Sequence, residues 1–404
     1  MGVLSGVRVI DMGLWVAGPA AGGIMADWGA DVVKIEMPTG DPMRNLFGAL
    51  SGSKEARCPP FDLYNRGKQS IALDVNRPEG RDLAARLVAG ADVFLTNMRP
   101  QFLKRVGLDH DTLMAKNPRL VYGLLTGYGL AGPDKDAPGF DIAAFSARSG
   151  VAHRATPPGA PSPILPGGMG DNVTAMATVA GILGALLARE KTGRGQLVGT
   201  SLLRTGIYSI GMDVSTRLGL GRLAPTPSRM TPQNPLMNPY CAGDGRWFWL
   251  IGAESERHWP VILRGIGHEE LAGDARFATP RDRRRNAGEL VQAFDEIFAA
   301  RSRDEWAEIF AQNDIWWAPV NSVEDLLDDP QVLSAGAFVP QPARPADPAG
   351  EAVQTLATPV DFGEMSAGPA GPPPQLGEHT TAILSGLGLD DAAIEALRLS
   401  GVVK

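Results

Sequence analysis

The alternation of strand-length and helix-length runs over the first 126 residues narrows the fold more than any other feature. Apolar runs at 7–12, 31–36, 70–74, 92–96 and 120–126 have the length and β-branched content of buried strands. A helical pattern through Ala20, Ile24, Met25 and Trp28, opened by Pro19, separates the first two, and residues 78–89 form another with Pro78 at its start. Strand, helix, strand in that order predicts a parallel pair joined by a right-handed crossover, and hence an α/β fold. Open sheets of this kind bind ligands beyond the carboxyl ends of their strands, which here run into Asn97-Met98-Arg99-Pro100 and Gly127-Tyr128-Gly129. Arg99, Lys104 and Arg105 offer cations to phosphates, or else form a solvated charged helix face. Glu36 ends the second strand as a dinucleotide site requires, but Gly13, Gly18 and Gly22 lack G-x-G-x-x-G spacing, and Leu14, Trp15 and Val16 crowd the turn.

With 404 residues, two domains are the natural expectation. A net charge of −7 argues against nucleic acid or an anionic membrane as the main partner, while leaving room for a local basic pocket. Cys58 and Cys241 make neither a disulfide framework nor a thiolate metal site, and residues 1–11 lack a signal-peptide pattern, so a reducing cytoplasm is expected. The uncharged run 173–188 is short of the roughly 20 residues needed to span a bilayer and predicts a buried helix. A mixed helical stretch should follow to about 220. Five prolines between 225 and 239 suggest a linker. Beyond it, 240–252 reads as a β-hairpin turning at Asp244-Gly245, with helices at 289–300 and 303–312, which together predict a small α+β domain. A Pro/Ala/Gly-rich tail from 340 to 374 precedes helical patterns at 378–387 and 390–399. The expected division is 1–225, 226–330 and 331–404.

The five histidines form no metal-ligand spacing with Cys or carboxylates, and no G-x-S-x-G elbow is present. Two carboxylates beside glycines stand out, Asp141 in Pro138-Gly139-Phe140-Asp141 and Asp171 in Gly167-Gly168-Met169-Gly170-Asp171-Asn172. Asp171 suits the N-cap of the following helix, and equally a nucleophile that a ligand can approach closely and that the helix N-terminus keeps ionised.

Taken in order, these motifs resemble the class III coenzyme A transferases, a family that includes formyl-CoA and carnitine CoA-transferases and has α-methylacyl-CoA racemase as a relative. The likeness runs from Leu4-Ser5-Gly6-Val7-Arg8-Val9-Ile10-Asp11 and Ala17-Gly18-Pro19 through Asn65-Arg66-Gly67-Lys68 to Leu376-Gly377-Glu378-His379-Thr380 and Gly401-Val402-Val403. It implies a Rossmann-like large domain, a small domain, a C-terminal segment returning to the large one, and an interlocked homodimer. It puts Asp171 at the family's catalytic aspartate, which attacks an acyl-CoA thioester and passes through an anhydride and an enzyme-CoA thioester to a carboxylic acid acceptor. CoA is then a substrate, with no metal and no permanently bound cofactor. The CoA contacts implied are Val16, Ala17, Leu73, Asn97, Met98, Arg99, Phe102, Arg105 and Phe140.

Two departures bear on specificity. Val16 stands where formyl-CoA transferase has glutamine near the reacting acyl group, and 225–239 has no counterpart of that enzyme's glycine-rich loop. Racemase relatives carry His immediately before the aspartate matching Asp141. Phe140 occupies that place and cannot exchange a proton, so transfer is favoured over racemisation. Trp15, Met169 and Met237 are apolar candidates for an acyl pocket or for core packing.

Overall fold

A computed structural model describes residues 1–46, 58–343 and 353–404. Part of the Pro/Ala/Gly-rich stretch 340–374 lies outside the described residues. The chain forms two compact units, one of Met1–His153, Pro163–Gly221 and Gly336–Lys404, the other of Arg154–Ser162 and Arg222–Ala335.

The first unit is built on six strands, β1 (Arg8–Met12), β2 (Asp31–Glu36), β3 (Gln69–Ala72), β4 (Val93–Thr96), β5 (Val121–Thr126) and β6 (Leu197–Ser201), ordered 3-2-1-4-5-6. Every pairing is parallel, as the alternation of runs predicts, and Ile10 of β1 pairs with Val33 on one side and Phe94 on the other. Successive residues of a strand point to opposite faces. Val9, Val32, Val93 and Val121 accordingly pack under α1 (Ala17–Asp27) and one face of α6 (Met169–Thr192). Their neighbours Ile10, Val33, Phe94 and Tyr122 pack under α3 (Pro78–Ala89), α5 (His110–Lys116) and the C-terminal helices α12 (Thr380–Gly386) and α13 (Asp391–Leu399). Both faces of the sheet are covered, so apolar residues occupy successive positions of its strands rather than alternate ones.

Strand β6 replaces the start of the helical stretch expected after 192. Its Leu-Val-Gly-Thr-Ser sequence is short and half polar, so no period marks it; Gly195 leads into it, where any side chain would overlap the Leu120 carbonyl. The helices α7 (Leu202–Ser209) and α8 (Gly211–Leu220) follow. Helix α6 is less buried than its uncharged sequence suggests. Thr174, Ala175, Thr178, Val179, Ile182 and Ala185 face inward, while Val173 and Leu187 are exposed.

The charged residues of the sequence motifs are internal struts. Arg66 and Lys68 follow α2 (Pro59–Asn65), and they pair with buried Asp27 at 2.5 Å and buried Asp11 at 2.7 Å. Glu36 is also committed, to Arg44 at 2.6 Å and to the Ser70 hydroxyl at 2.9 Å, so it is not free to hold a ribose. The C-terminus closes on the sheet edge, where Leu73 bridges Val403 and the Ser70 amide donates to His379 Nδ1 at 3.2 Å.

In the second unit β7 (Met237–Cys241) and β8 (Trp247–Ile251) form the expected hairpin, with Gly245 in the left-handed region at φ 80°. A strand not foreseen, β9 (Trp317–Pro319), adds to its far side. Pro239 is tolerated because β7 is an edge strand. Helices α9 (Ser255–Ile266), α10 (Ala287–Phe298) and α11 (Arg303–Gln312) cover the sheet, packing Phe294, Phe298 and Phe310 around Tyr240 and Phe248. A Ser302–Glu305 capping box starts α11 where the sequence placed it.

Candidate active site

The strand order reverses between β1 and β4, and the loops leaving their carboxyl ends define one wall of a cleft. After β1 the chain runs through Gly13, Leu14, Trp15 and Val16 before α1 begins. Trp15 is held in the left-handed region at φ 64°, a conformation that costs a bulky residue about 1–2 kcal/mol and needs support from its surroundings. That support is visible. The Leu14 amide donates to Asn97 Oδ1 at 2.9 Å, and Asn97 Nδ2 donates back to the Leu14 carbonyl at 2.8 Å. Asp41 accepts from the Trp15 amide at 3.1 Å, and Lys34 Nζ, itself paired with Asp41 at 3.0 Å, donates to the Gly13 carbonyl at 2.8 Å. Lys34 and Asp41 are fully buried, so the ion pair acts as a rigid floor beneath the loop.

The opposite wall carries the carboxylates. Helix α6 starts after Gly168, in the left-handed region at φ 78°, so the N-cap is Gly168 and Asp171 sits in the first turn instead of capping. Gly170 is needed for a different reason, since a Cβ there would overlap the Phe145 ring and the Asp141 carboxylate. Asp141 begins a π-helical segment, Asp141–Arg148, and accepts from the Gly170 amide at 3.2 Å. Burial raises its carboxyl above the ordinary range, and the backbone donors at Gly170 and Gly168 oppose the rise. Asp171 is pushed up to about 7, first by burial and then by the Asp141 charge. This modifies the expectation of an aspartate simply held ionised by its helix: at neutral pH the acid and the carboxylate coexist. Tyr64, at the end of α2, completes the surroundings. Its hydroxyl hydrogen-bonds the Asn172 side chain, and burial raises its pKa, with the Asp171 charge adding to the rise.

Between the walls lies a cavity of about 460 Å³ lined by Val16, Ala17, Asn97, Met98, Arg99, Phe102, Phe140 and Asp171 of the residues singled out from sequence, together with Trp15 and Asp141. Two of the expected CoA contacts are elsewhere. Leu73 is wholly buried in the core beyond β3, outside the cavity lining. Arg105, at the end of α4 (Pro100–Arg105), stands outside the lining with its guanidinium 5.1 Å from the Phe102 ring centroid. Met237 belongs to β7 of the second unit. The sequence reading missed Lys135, Thr126 and Leu202 in the lining and Tyr64 beside Asp171. Lys135 sits between two aspartates in a loop, and Tyr64 owes its place to the packing of α2, so neither carried a local signal. Arg99 and Lys135 are exposed and make no ion pair among the described residues, which leaves both available to phosphates. Among the described residues no three His, Cys, Asp or Glu side chains gather as a metal site would require.

The pattern of CoA-transferase family III matches residues 4–380. The chain belongs to that family. The (R)-2-hydroxy-4-methylpentanoate CoA-transferase of Clostridioides difficile is 33% identical over 403 residues, covering 100% of both chains. The succinyl-CoA:glutarate CoA-transferase of Mus musculus is 31% identical over 99% of this chain and 90% of its own. Among solved structures, a CaiB/BaiF family protein from Brucella suis superposes with a TM-score of 0.84 at 29% identity, covering 96% of this chain and 99% of that one. As a family III CoA-transferase, the protein is an acyl-CoA transferase of mixed α/β fold with a six-stranded parallel sheet. The CoA thioester is its substrate.

Proposed function

We propose that the protein moves CoA from an acyl-CoA donor to a free carboxylic acid through covalent intermediates on Asp171. The observation that carries this reading is the position of Asp171, at a helix start in a cavity shared with Asn97, Met98 and Arg99. The Asp171 carboxylate attacks the thioester carbonyl, the C–S bond breaks, and the CoA thiolate leaves behind an aspartyl–acyl anhydride. The thiolate then attacks the aspartyl carbonyl, releasing the donor acid as its carboxylate and leaving an enzyme-CoA thioester. The acceptor carboxylate repeats these two steps in reverse order, so Asp171 is restored and no proton is gained or lost. Arg99 and Lys135 pair with CoA phosphates, and Phe102 lines the same cavity.

Racemisation of a 2-methylacyl-CoA is the less favoured reading. It needs a donor and an acceptor on opposite sides of the α-carbon, and Phe140 offers neither. Hydroxylamine added during turnover should convert the peptide containing Asp171 to a hydroxamate detectable by mass spectrometry. An active preparation in which that peptide stays unmodified would rule out the covalent route, and solvent deuterium at the α-carbon without any acceptor acid would favour the racemase.

We further propose a homodimer. Helix α8 has no buried residue although it carries Met212, Leu218 and Leu220, and Tyr208 of α7 is 88% exposed beside it. Apolar surface of this extent on consecutive helices marks an interface, and the family resemblance supports a second copy of the chain as its occupant.

A further inference from the structure

We propose that the acid exchanged at Asp171 carries an uncharged, apolar side chain, and that Val16 and Trp15 are the residues that select it. The proposal rests on the transfer reading above and deepens it. Val16 faces the start of the helix that bears Asp171, its Cγ1 lying 3.9 Å from the point a Cβ on Gly168 would occupy. Trp15, the next residue back, is 40% exposed and lines the same cavity. Phe140, immediately before Asp141, is 62% exposed on that cavity, and Met169, two residues before Asp171, is also exposed. Apolar side chains, Val16 and Trp15 on one wall and Phe140 on the other, thus line the cavity alongside its polar groups. The Val16–Trp15 wall is rigid as well, because its backbone is clamped by Asn97 and Asp41.

Charge points the same way. Among the described residues the charged neighbour that shifts Asp171 is Asp141, which has the same sign. Among the described residues the cations lining the cavity are Arg99, on the turn into α4, and Lys135, in the loop after β5. CoA brings a diphosphate and a 3′-phosphate, more negative charge than these two groups neutralise. A donor or acceptor with a second carboxylate would place a further anion near Asp141 and Asp171, with no cation beyond Arg99 and Lys135 among the described lining residues to meet it, in a partly desolvated site where like charges repel strongly. A monocarboxylic acid with a branched aliphatic or aromatic chain brings only the reacting carboxylate, and its side chain is desolvated against Val16, Trp15 and Phe140.

The test uses the full-length protein and single-turnover labelling of Asp171, trapped with hydroxylamine and read by mass spectrometry. The donors compared are 4-methylpentanoyl-CoA, 3-phenylpropanoyl-CoA, succinyl-CoA and glutaryl-CoA. The two apolar donors should label Asp171 at least roughly tenfold faster at limiting concentration than the two dicarboxylic ones. Equal or faster labelling by succinyl-CoA or glutaryl-CoA overturns the selectivity and leaves the transfer reading intact, whereas no labelling by any donor overturns both. Val16→Arg should narrow or reverse the preference by giving the second carboxylate a partner. Trp15→Ala should narrow the preference for the two apolar donors over the dicarboxylic pair, read as the ratio of their labelling rates. A Trp15→Ala enzyme that keeps the parent ratio removes Trp15 from the selecting wall.

Discussion

Asp171 is divided between acid and carboxylate at neutral pH because burial and the Asp141 charge bring it to about 7. Only the carboxylate attacks a thioester, so single-turnover acylation should climb as pH rises through about 7 and level off above it. Asp141→Asn removes the like charge and leaves the burial; the midpoint should move down yet stay above the ordinary aspartate value of 3.8. A midpoint that does not move would show that the two carboxylates are not coupled. The same shift bears on stability, with a sign that can be worked out. A carboxyl whose folded pKa is raised contributes stability that is fully present below 3.8 and lost as pH rises through about 7. Asp171→Asn should therefore melt at least as high as the parent protein above pH 7, while transfer falls by about a thousandfold or more. At this scale the sequence exposed the aspartates because glycines crowd around them. It could not expose Tyr64, whose phenol reaches Asn172 only after α2 and α6 have packed.

The element on which the site depends most is the loop between β1 and α1, and Asn97 is its principal clamp. Asn97→Ala would leave the amide and carbonyl of Leu14 without their side-chain partner, at a cost of about 1–3 kcal/mol, and would remove the support that keeps Trp15 in its left-handed conformation. The expected result is a melting temperature lower by a few degrees and a raised KM for the acyl-CoA donor, measured by calorimetry and steady-state kinetics, with the pH midpoint of acylation unchanged. A variant that kept the parent KM would mean that the loop holds its shape without Asn97. The strands and helices that frame this loop were legible because each strand carries a short run of large apolar residues and Pro78 opens its helix, while Pro19 falls just inside a helix that begins at Ala17. What was not legible has local causes. Strand β6 is short and half polar, β9 has only three residues, and the π-helical turn at Asp141 carries no sequence period of its own. Leu73 shows a related limit, since likeness of motif places a residue along the chain without saying which way its side chain points.

For the molecule as a whole, an apolar helix reads the same in sequence whether it belongs to its own core or to the surface of a partner. Helix α6 was expected to be buried and is buried on one face only, with Leu187 67% exposed on the other. Helix α7 buries Leu202 and Gly206, but α8 continues beyond them without burying any residue, leaving Met212 87% exposed. Covering such a patch with a second copy would desolvate several large side chains at once, each worth roughly 1.5–3 kcal/mol when fully buried. Sedimentation of the intact protein should accordingly give a dimer at micromolar concentration. Replacing Tyr208 and Met212 together by Glu puts charges where apolar contact is needed, and should weaken association by at least roughly a hundredfold, yielding monomers under the same conditions. Both side chains are exposed within the chain itself, so the substitution should leave the fold of a single copy intact, as circular dichroism can check. A double variant that is folded and still dimeric would move the interface away from α7 and α8. A parent protein that sediments as a monomer would mean that this apolar surface faces water, and the homodimer proposal would fail with it.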